Sequence, residues 1–184
     1  KDIIKEFGQP AQRVLHGISL EIQDGEFVSI SGRSGSGKST LLYILSSLDY
    51  PTSGTVSLNG MDPQKASSEE VHLFRCQHIG FIFQFHYLLP ELTALENVLL
   101  PAKNLGLEEE KTMEAKDFFL QLEIDDQMQK YPSQMSGGQQ QRVAIARSLI
   151  MNPRFIFADE PTGNLDSYNA KKVMEILMKI NKEK

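Results

Sequence analysis

The sequence has one cysteine, no excess of basic residues and no long apolar run, and each shortage excludes a class of protein. Cys76 cannot form an internal disulfide, and it fits a reducing compartment. The formal net charge of −5 argues against a general nucleic-acid binder, so we expect no nucleic-acid partner. No apolar run reaches the roughly 18 residues that a membrane span needs. A cleavable signal, repeats and low-complexity tracts are also missing.

The composition is otherwise close to that of an average globular protein. With 184 residues, 40% hydrophobic and 23% charged, the chain is predicted to form one domain, or a domain plus a lobe, with a sizeable core. It begins inside a predicted strand and ends inside a predicted helix, so we expect a chain trimmed at its C-terminus.

Strand and helix patterns alternate along the chain, which predicts an α/β fold. Apolar alternation around Asp24-Gly25 predicts a strand, a tight turn and a strand over residues 18–30, and a further short strand is predicted over 53–60. Residues 79–83 and 155–158 are apolar runs typical of buried strands, the second of central parallel ones. Helices are predicted over residues 38–48, 71–77, 94–106, 108–122, 137–151 and 173–184.

A glycine-rich loop, "GRSGSGKST", lies between an apolar run and a predicted helix, as phosphate-binding Walker A loops do. Its glycines let backbone N–H groups converge on phosphate oxygens, Lys38 can reach the outer phosphates and Ser39 can ligate Mg²⁺. A Gly/Ser turn that matches by chance is the alternative, and the flanking strand and helix disfavour it. The residues predicted to bind nucleotide here are Gly32, Ser34, Gly35, Ser36, Gly37, Lys38, Ser39 and Thr40.

Two adjacent carboxylates, Asp159 and Glu160, follow the apolar run "FIFA". Ligands of open α/β sheets bind at the carboxyl ends of strands, so this position suits a nucleotide site. Asp159 is predicted to hold Mg²⁺ through water, and Glu160 to orient or deprotonate the attacking water. A helix cap after a strand is the alternative, and the phosphate loop in the same chain disfavours it.

Three further positions have weaker support. Gln84 follows the run "IGFIF" and is predicted to contact Mg²⁺ and the attacking water, with a solvated strand-end amide as the alternative. Phe7 is predicted to stack on adenine, with a core phenylalanine as the alternative. His72 and Cys76 lie four residues apart on a predicted helix, but a metal site is disfavoured because no tight fourth ligand is evident.

Ser136, Gly137 and Gly138 open a predicted helix, which offers a second place for an anion. Together with Walker A, Gln84 and "FIFADE", the stretch "SGGQ" gives the motif order of the ATP-binding-cassette (ABC) ATPases, which the chain resembles over essentially its whole length. "SGGQ" followed by "QQRVAIARSL" is similar to the family's signature, with Met135 in place of the commoner leucine. "TGNLD" at 162–166 resembles the family's D-loop.

This resemblance implies a P-loop NTPase (RecA-like) α/β core with an N-terminal antiparallel β subdomain and an inserted helical lobe. Residues 1–84 are then the nucleotide-binding core and β subdomain, 85–151 the lobe, and 152–184 the return to the core with Walker B and the D-loop. The implied activity is Mg-dependent hydrolysis of ATP, with ATP and Mg²⁺ as cofactors. The implied catalytic residues are Glu160, Lys38 and Gln84, and the implied metal ligands are Ser39, Gln84 and Asp159.

Members of the family stack two subunits head to tail, with each ATP between Walker A of one subunit and the signature of the other. The resemblance therefore implies that Ser136, Gly137, Gly138 and Gln139 bind the nucleotide of a second ABC ATPase subunit. The positive N-terminal end of a helix agrees with such a role.

A narrower resemblance, carried by "QFHYLLPELTALENVLLPA", "SLDYPTSG" and "ADEPTGNLDS", is to lipoprotein-releasing ATPases of the LolD type. It implies a peripheral protein at the cytoplasmic face of the inner membrane, with integral membrane subunits docking near Phe85–Asn97; packing within the lobe is the alternative role of that segment. Macrolide-exporter and cell-division types are the close alternatives. A soluble non-transport ABC ATPase and a regulatory module without catalysis are the more distant ones.

One feature departs from the family pattern. The family carries a switch histidine after the D-loop, whereas all four histidines of this chain precede Walker B. We therefore expect this chain to bind ATP and to hydrolyse it weakly or not at all.

Overall fold

The computed structural model describes residues 1–183, which fall into two compact units, 1–75 and 76–183. The strands are β1 (Ile3–Phe7), β2 (Gln12–Ile18), β3 (Ile79–Ile82) and β4 (Phe155–Ala158). The α-helices are α1 (Lys38–Leu45), α2 (Ser68–His78), α3 (Ala94–Lys103), α4 (Glu108–Gln121), α5 (Gly137–Leu149) and α6 (Ser167–Glu183). Short 3₁₀ turns lie at Asp125–Gln127 and Pro132–Gln134. Within the described residues, no helix is both long enough and apolar enough to cross a membrane.

The first unit is built on an antiparallel pair of strands. β1 and β2 pair from Ile3 opposite Ile18 to Phe7 opposite Gln12. Leu15 of β2 is buried, as are Leu41 and Ile44 of α1, which lie three residues apart and therefore share one face of the helix. The Walker A loop connects to α1 directly, so the packing of α1 fixes where the loop ends.

Two strand predictions in this unit are wrong. The turn at Asp24-Gly25 forms, but residues 19–37 contain no strand, and the apolar side chains of Leu20, Ile22, Phe27 and Val28 stay 41–50% exposed. Residues 53–60 form only isolated bridges. The alternating pattern requires a neighbouring strand and a covered face. Within residues 1–183, no strand forms a ladder with either segment, and Ile4 of β1 makes only a single bridge with Ser53.

The second unit surrounds a parallel pair of strands. β3 and β4 pair in register from Ile79 opposite Phe155 to Ile82 opposite Ala158, as expected for the two apolar runs. Helices α3 to α6 cover this pair with one continuous core. Its fully buried side chains include Ile82, Val98, Phe119, Ile124, Val143, Ile145, Leu149, Ile150 and Val173.

Two helices begin with capping boxes. Thr93 and Glu96 form a reciprocal capping box at the start of α3, in which the Thr93 N–H donates to Glu96 Oε2 at 2.7 Å. Ser67 and Glu70 do the same before α2, where the Ser67 N–H donates to Glu70 Oε2 at 2.7 Å. In both carboxylates these hydrogen bonds hold the pKa below its ordinary value. Both boxes depend only on residues three apart, which is why the sequence alone predicts them.

We predict that Gly80→Ala destabilises the second unit. A Cβ at Gly80 would lie inside the contact distance of the Ser148 carbonyl oxygen and 3.0 Å from Pro153 Cγ, so β3 and α5 would have to separate. Overpacking of this kind typically costs about 1–3 kcal/mol of unfolding free energy, measurable by urea denaturation. Gly137→Ala is the matched control for stability, because a Cβ there meets nothing within 4 Å. Equal stability of the two variants would contradict the close packing of β3 on α5.

Candidate nucleotide site

The Walker A loop folds into a cradle around the ammonium group of Lys38. Lys38 Nζ donates to the carbonyl oxygens of Gly32 and Arg33, each at 3.2 Å. The Ser36 N–H donates to the Arg33 carbonyl at 3.2 Å and closes the turn. A Cβ at Gly32 would lie 2.8 Å from Ser36 Oγ, so a side chain at this position would displace the Ser36 hydroxyl. A lysine turned inward over such a loop fits a phosphate, which would replace the two carbonyls as its partner.

Gly37 is required here for two physical reasons. Its φ of 91° lies in the left-handed region that glycine adopts without strain, and it precedes the first residue of α1. A Cβ at this position would also lie 2.8 Å from Leu15 Cδ2 on β2. The loop therefore packs directly onto the antiparallel strands. Of the other predicted ligands in this loop, Ser34 and Gly35 lie in its turn, whereas Ser39 and Thr40 lie in the first turn of α1.

The parallel pairing of β3 and β4 brings Gln84 and Glu160 to one level. Both residues stand two positions beyond the last registered pair, Ile82 and Ala158. Asp159 extends the ladder, because its N–H donates to the Ile82 carbonyl at 2.9 Å, and it is only 6% exposed. Three residues predicted separately from the sequence are thus grouped at one edge of this strand pair. Their oxygen atoms are ligands of the kind that Mg²⁺ prefers.

The backbone turns sharply at Glu160, which has a φ of 45°. Positive φ is uncommon for a residue with a side chain, and such strain is concentrated at functional sites. The side chains of Glu160 and Gln84 border the same point, since a Cβ at Gly163 would lie 3.3 Å from Glu160 Oε2 and 3.5 Å from Gln84 Nε2. Asn164 Nδ2 donates to the Gln84 carbonyl at 3.0 Å and ties the two segments together.

The signature residues form the N-terminus of α5 as predicted. Ser136 is the N-cap, and it forms a capping box with Gln139: the Ser136 N–H donates to Gln139 Oε1 at 2.8 Å, and the Gln139 N–H donates to Ser136 Oγ at 3.3 Å. The first N–H groups of a helix have no partner within the helix, which includes those of Gly137 and Gly138. This end of α5 therefore offers donors to an anion.

Phe7 lies at the end of β1 with 46% of its surface exposed. The alternative prediction of a core phenylalanine is therefore wrong. Lys5 Nζ lies 4.9 Å from the centre of its ring and forms a cation–π contact. An exposed ring at this position agrees with stacking on adenine, which stays a prediction.

Two side chains that the sequence analysis missed hold the segment after Gln84. Asn97 is fully buried in α3; its Oδ1 accepts from the Leu89 N–H at 2.8 Å, and its Nδ2 donates to the Leu89 carbonyl at 3.0 Å. Arg147 of α5 donates to the carbonyls of His86 and Tyr87, each at 2.7 Å. An asparagine inside a helix has poor helix propensity, which is the one feature of the sequence that could have drawn attention to Asn97.

A histidine–glutamine contact lies beside this arginine. His86 Nδ1 is hydrogen bonded to Oε1 of Gln141, a residue of α5 that is only 1% exposed. Burial holds the pKa of His86 below its ordinary value, and the charge of Arg147 acts in the same direction. A neutral imidazole is therefore favoured at His86. This residue lies within the stretch Phe85–Asn97, which we call the docking segment. Within that segment Phe85 and Tyr87 are 58% and 62% exposed.

An ATP-binding cassette is defined by three features that this chain has. They are a phosphate-binding type of loop, a strand pair followed by Gln84 and two carboxylates, and a capped signature helix. The family model for ABC transporters matches residues 15–163. The chain therefore belongs to the ABC transporter family and is an ABC-type ATPase, which confirms the resemblance seen in its motifs.

Individual relatives narrow this likeness. The chain is 53% identical to the lipoprotein-releasing system ATP-binding protein LolD of Leptospira interrogans serogroup Icterohaemorrhagiae serovar Lai. The aligned 182 residues cover 99% of this chain and 76% of the relative. It is 54% identical over 169 residues to LolD of Aquifex aeolicus strain VF5, covering 91% of this chain and 75% of the relative. The dimeric ATP-binding cassette MJ0796 bound to ADP and Pi is 41% identical, with a TM-score of 0.88 over 100% of this chain and 82% of that one. This likeness confirms the predicted α/β fold.

We predict that Arg147→Lys destabilises the second unit. A single ammonium group cannot reproduce the planar fork that reaches two adjacent carbonyls. Loss of a hydrogen bond to a charged group typically lowers the unfolding free energy by about 1.5–3 kcal/mol. Urea denaturation measures this change, and limited chymotrypsin digestion should show faster cleavage at the exposed Phe85 and Tyr87. Arg13→Lys, at a half-exposed ion pair, is the control, and an Arg147→Lys protein as stable and as resistant as that control would contradict the prediction.

Proposed function

We propose that this chain binds ATP at residues 32–40 and drives a lipoprotein-releasing membrane transporter by hydrolysing it. The inward-facing ammonium of Lys38 supports phosphate binding. The high identity to LolD proteins supports the lipoprotein-releasing class over the macrolide-exporter and cell-division types. Phe7 is proposed to stack on the adenine ring through its exposed face.

The observation that carries the proposal is the grouping of Gln84, Asp159 and Glu160 beyond the β3–β4 pair. Glu160 is exposed, and we propose that its carboxylate accepts a proton from the attacking water as bond formation proceeds. Gln84 would orient that water through its amide, because it borders the same point as the Glu160 carboxylate. Asp159 would hold its position through the ladder hydrogen bond of its own backbone.

Three oxygen-bearing side chains are proposed as Mg²⁺ ligands, as in the ABC family that the chain belongs to: Ser39, Gln84 and Asp159. When bound, Mg²⁺ would neutralise charge on the phosphate oxygens. The hard oxygen ligands and the burial of Asp159 support this assignment.

We further propose that two copies of the chain form an ATP-dependent head-to-tail dimer. The start of α5, from Ser136 to Gln139, would bind the outer phosphate held by the partner copy, with the N–H groups of Gly137 and Gly138 as donors. The dimeric form of the similar cassette with bound ADP and Pi supports this arrangement. The docking segment exposes Phe85 and Tyr87 and is the proposed contact for membrane subunits at the cytoplasmic face of the inner membrane.

We predict that Lys38→Ala weakens ATP binding by about 10- to 100-fold. The variant loses charge-assisted hydrogen bonds to phosphate, each worth about 1.5–3 kcal/mol. Isothermal titration with ATP measures the change. Lys65→Ala removes an exposed ammonium from another part of the same unit and serves as the control. Unchanged affinity in Lys38→Ala would remove this residue from the phosphate site.

The hydrolysis expected of this chain is weak, and we predict that Glu160→Gln slows it further by about 10²- to 10⁴-fold, the usual range for a general base. ATP binding and the ATP-dependent dimer should persist, because the amide keeps the size of the carboxylate. Phosphate release measures hydrolysis, and light scattering measures the ATP-dependent dimer. Glu109→Gln, on the exposed side of α4, is the control. Unchanged turnover would exclude Glu160 as the base.

The transport assignment is tested by purifying Glu160→Gln protein from membranes in Mg-ATP and identifying the proteins bound to it. Two related membrane subunits that retain lipoprotein would support lipoprotein release. One membrane protein with a large extracytoplasmic domain would instead indicate the macrolide-exporter type. A soluble or ribosomal partner without any membrane protein would overturn the transport assignment.

A further inference from the structure

The two glycines of the signature have opposite surroundings. Gly137 is exposed, and a Cβ at this position would meet nothing within 4 Å. Gly138 is buried, and a Cβ there would lie 2.7 Å from both Cγ and Oδ1 of Asn169 and 3.1 Å from its Nδ2. The space beside Gly138 is therefore filled by a side chain of the same protein, from the first turn of α6.

Asn169 is held in place from two sides. Its Nδ2 donates to Asp166 Oδ2 at 2.6 Å, and its backbone N–H donates to Asp166 Oδ1 at 3.0 Å. Its Oδ1 accepts from Arg142 of α5 at 3.2 Å. A carboxylate can only accept and a guanidinium can only donate, so these two partners fix which way the amide faces.

Asp166 in turn ends the segment that starts at the strained Glu160. The Gly163 N–H donates to the Glu160 carbonyl at 2.9 Å, and the Leu165 N–H donates to the Thr162 carbonyl at 3.1 Å. These consecutive turns lead from Glu160 to Asp166, and Asn169 connects Asp166 to α5. These turns and hydrogen bonds therefore connect the proposed base to Arg142 in the second turn of α5, while the Asn169 side chain packs against Gly138 in its first turn.

We infer that Asn169 is a positioning residue, which fills the space beside Gly138 and sets the orientation of the signature donors toward the partner's nucleotide. This inference rests on the proposed function, because it requires the start of α5 to bind ATP held by a second copy. It also assigns different physical reasons to the two glycines. Gly137 keeps the approach of the phosphate open, whereas Gly138 admits Asn169.

The test is a double-mutant cycle in the Glu160→Gln background, with ATP-dependent dimerisation followed by light scattering. Gly138→Ala should weaken the dimer about 10-fold or more, because the methyl group displaces Asn169 and tilts the first turn of α5. Adding Asn169→Ala removes the clash, so the double variant should recover at least to the affinity of Asn169→Ala alone.

Gly137→Ala is the matched control in the same cycle. It should also weaken the dimer, because its methyl group narrows the open approach, but Asn169→Ala should not restore it. Recovery of Gly138→Ala alone supports the inference. Equal recovery of both glycine variants, or of neither, overturns it.

A second readout separates positioning from a merely structural role. The same cycle is measured by urea denaturation without nucleotide, alongside the ATP affinity of the monomer. Rescue of stability without rescue of dimerisation would make Asn169 structural only and overturn the inference, while the proposed function stands. A Glu160→Gln parent that binds ATP but never dimerises would overturn the proposed dimer and, with it, the inference.

Discussion

The parallel pairing of β3 with β4 is the constraint on which the rest of the candidate site depends. The pairing itself ends at Ile82 and Ala158, but the hydrogen bond from the Asp159 N–H to the Ile82 carbonyl extends the ladder by one step. A side chain one residue beyond a strand is normally free to move with its loop. Here Asp159 is buried and fixed, and Glu160 is the first residue able to turn away, at the cost of a positive φ.

Helix α5 connects the signature residues with the docking segment, a connection that no sequence pattern predicts. Ser136 caps the helix and Gly138 lies in its first turn. Arg147 lies in its last turn and donates hydrogen bonds to the carbonyls of His86 and Tyr87. A helix of 13 residues is about 20 Å long and nearly rigid. The first turn of α5 and the docking segment are therefore attached to one helix, and the docking segment is also anchored to α3 through Asn97.

Patterns that depend on near neighbours in the sequence were predictable, whereas patterns that depend on distant partners were not. The capping boxes at Thr93 and Ser136, and the loop from Gly32 to Ser39, follow from spacings of a few residues, and all three form. The strands predicted on either side of Asp24-Gly25 do not form, because a strand is stabilised by its neighbour, and no neighbour is encoded locally.

The site residues that sequence reasoning missed have the same explanation. Arg147, Asn97 and Asn169 have hydrogen-bond partners 8 to 61 positions away in the chain. No spacing rule reveals a side chain whose partner lies in another segment. By contrast, the positions of Gln84 and of the Asp159-Glu160 pair were predictable, because each directly follows an apolar run.

Glycine shows why a motif does not by itself assign a role to each of its residues. A glycine-rich motif is usually explained by its ligand, yet Gly37 is also required by Leu15 of β2, and Gly138 by Asn169 of α6. Gly137, by contrast, has open space where its side chain would be. A substitution at Gly37 or Gly138 therefore disturbs the protein's own packing before any nucleotide arrives. Loss of activity in such a variant is evidence for a phosphate contact only when the packing partner has been changed as well.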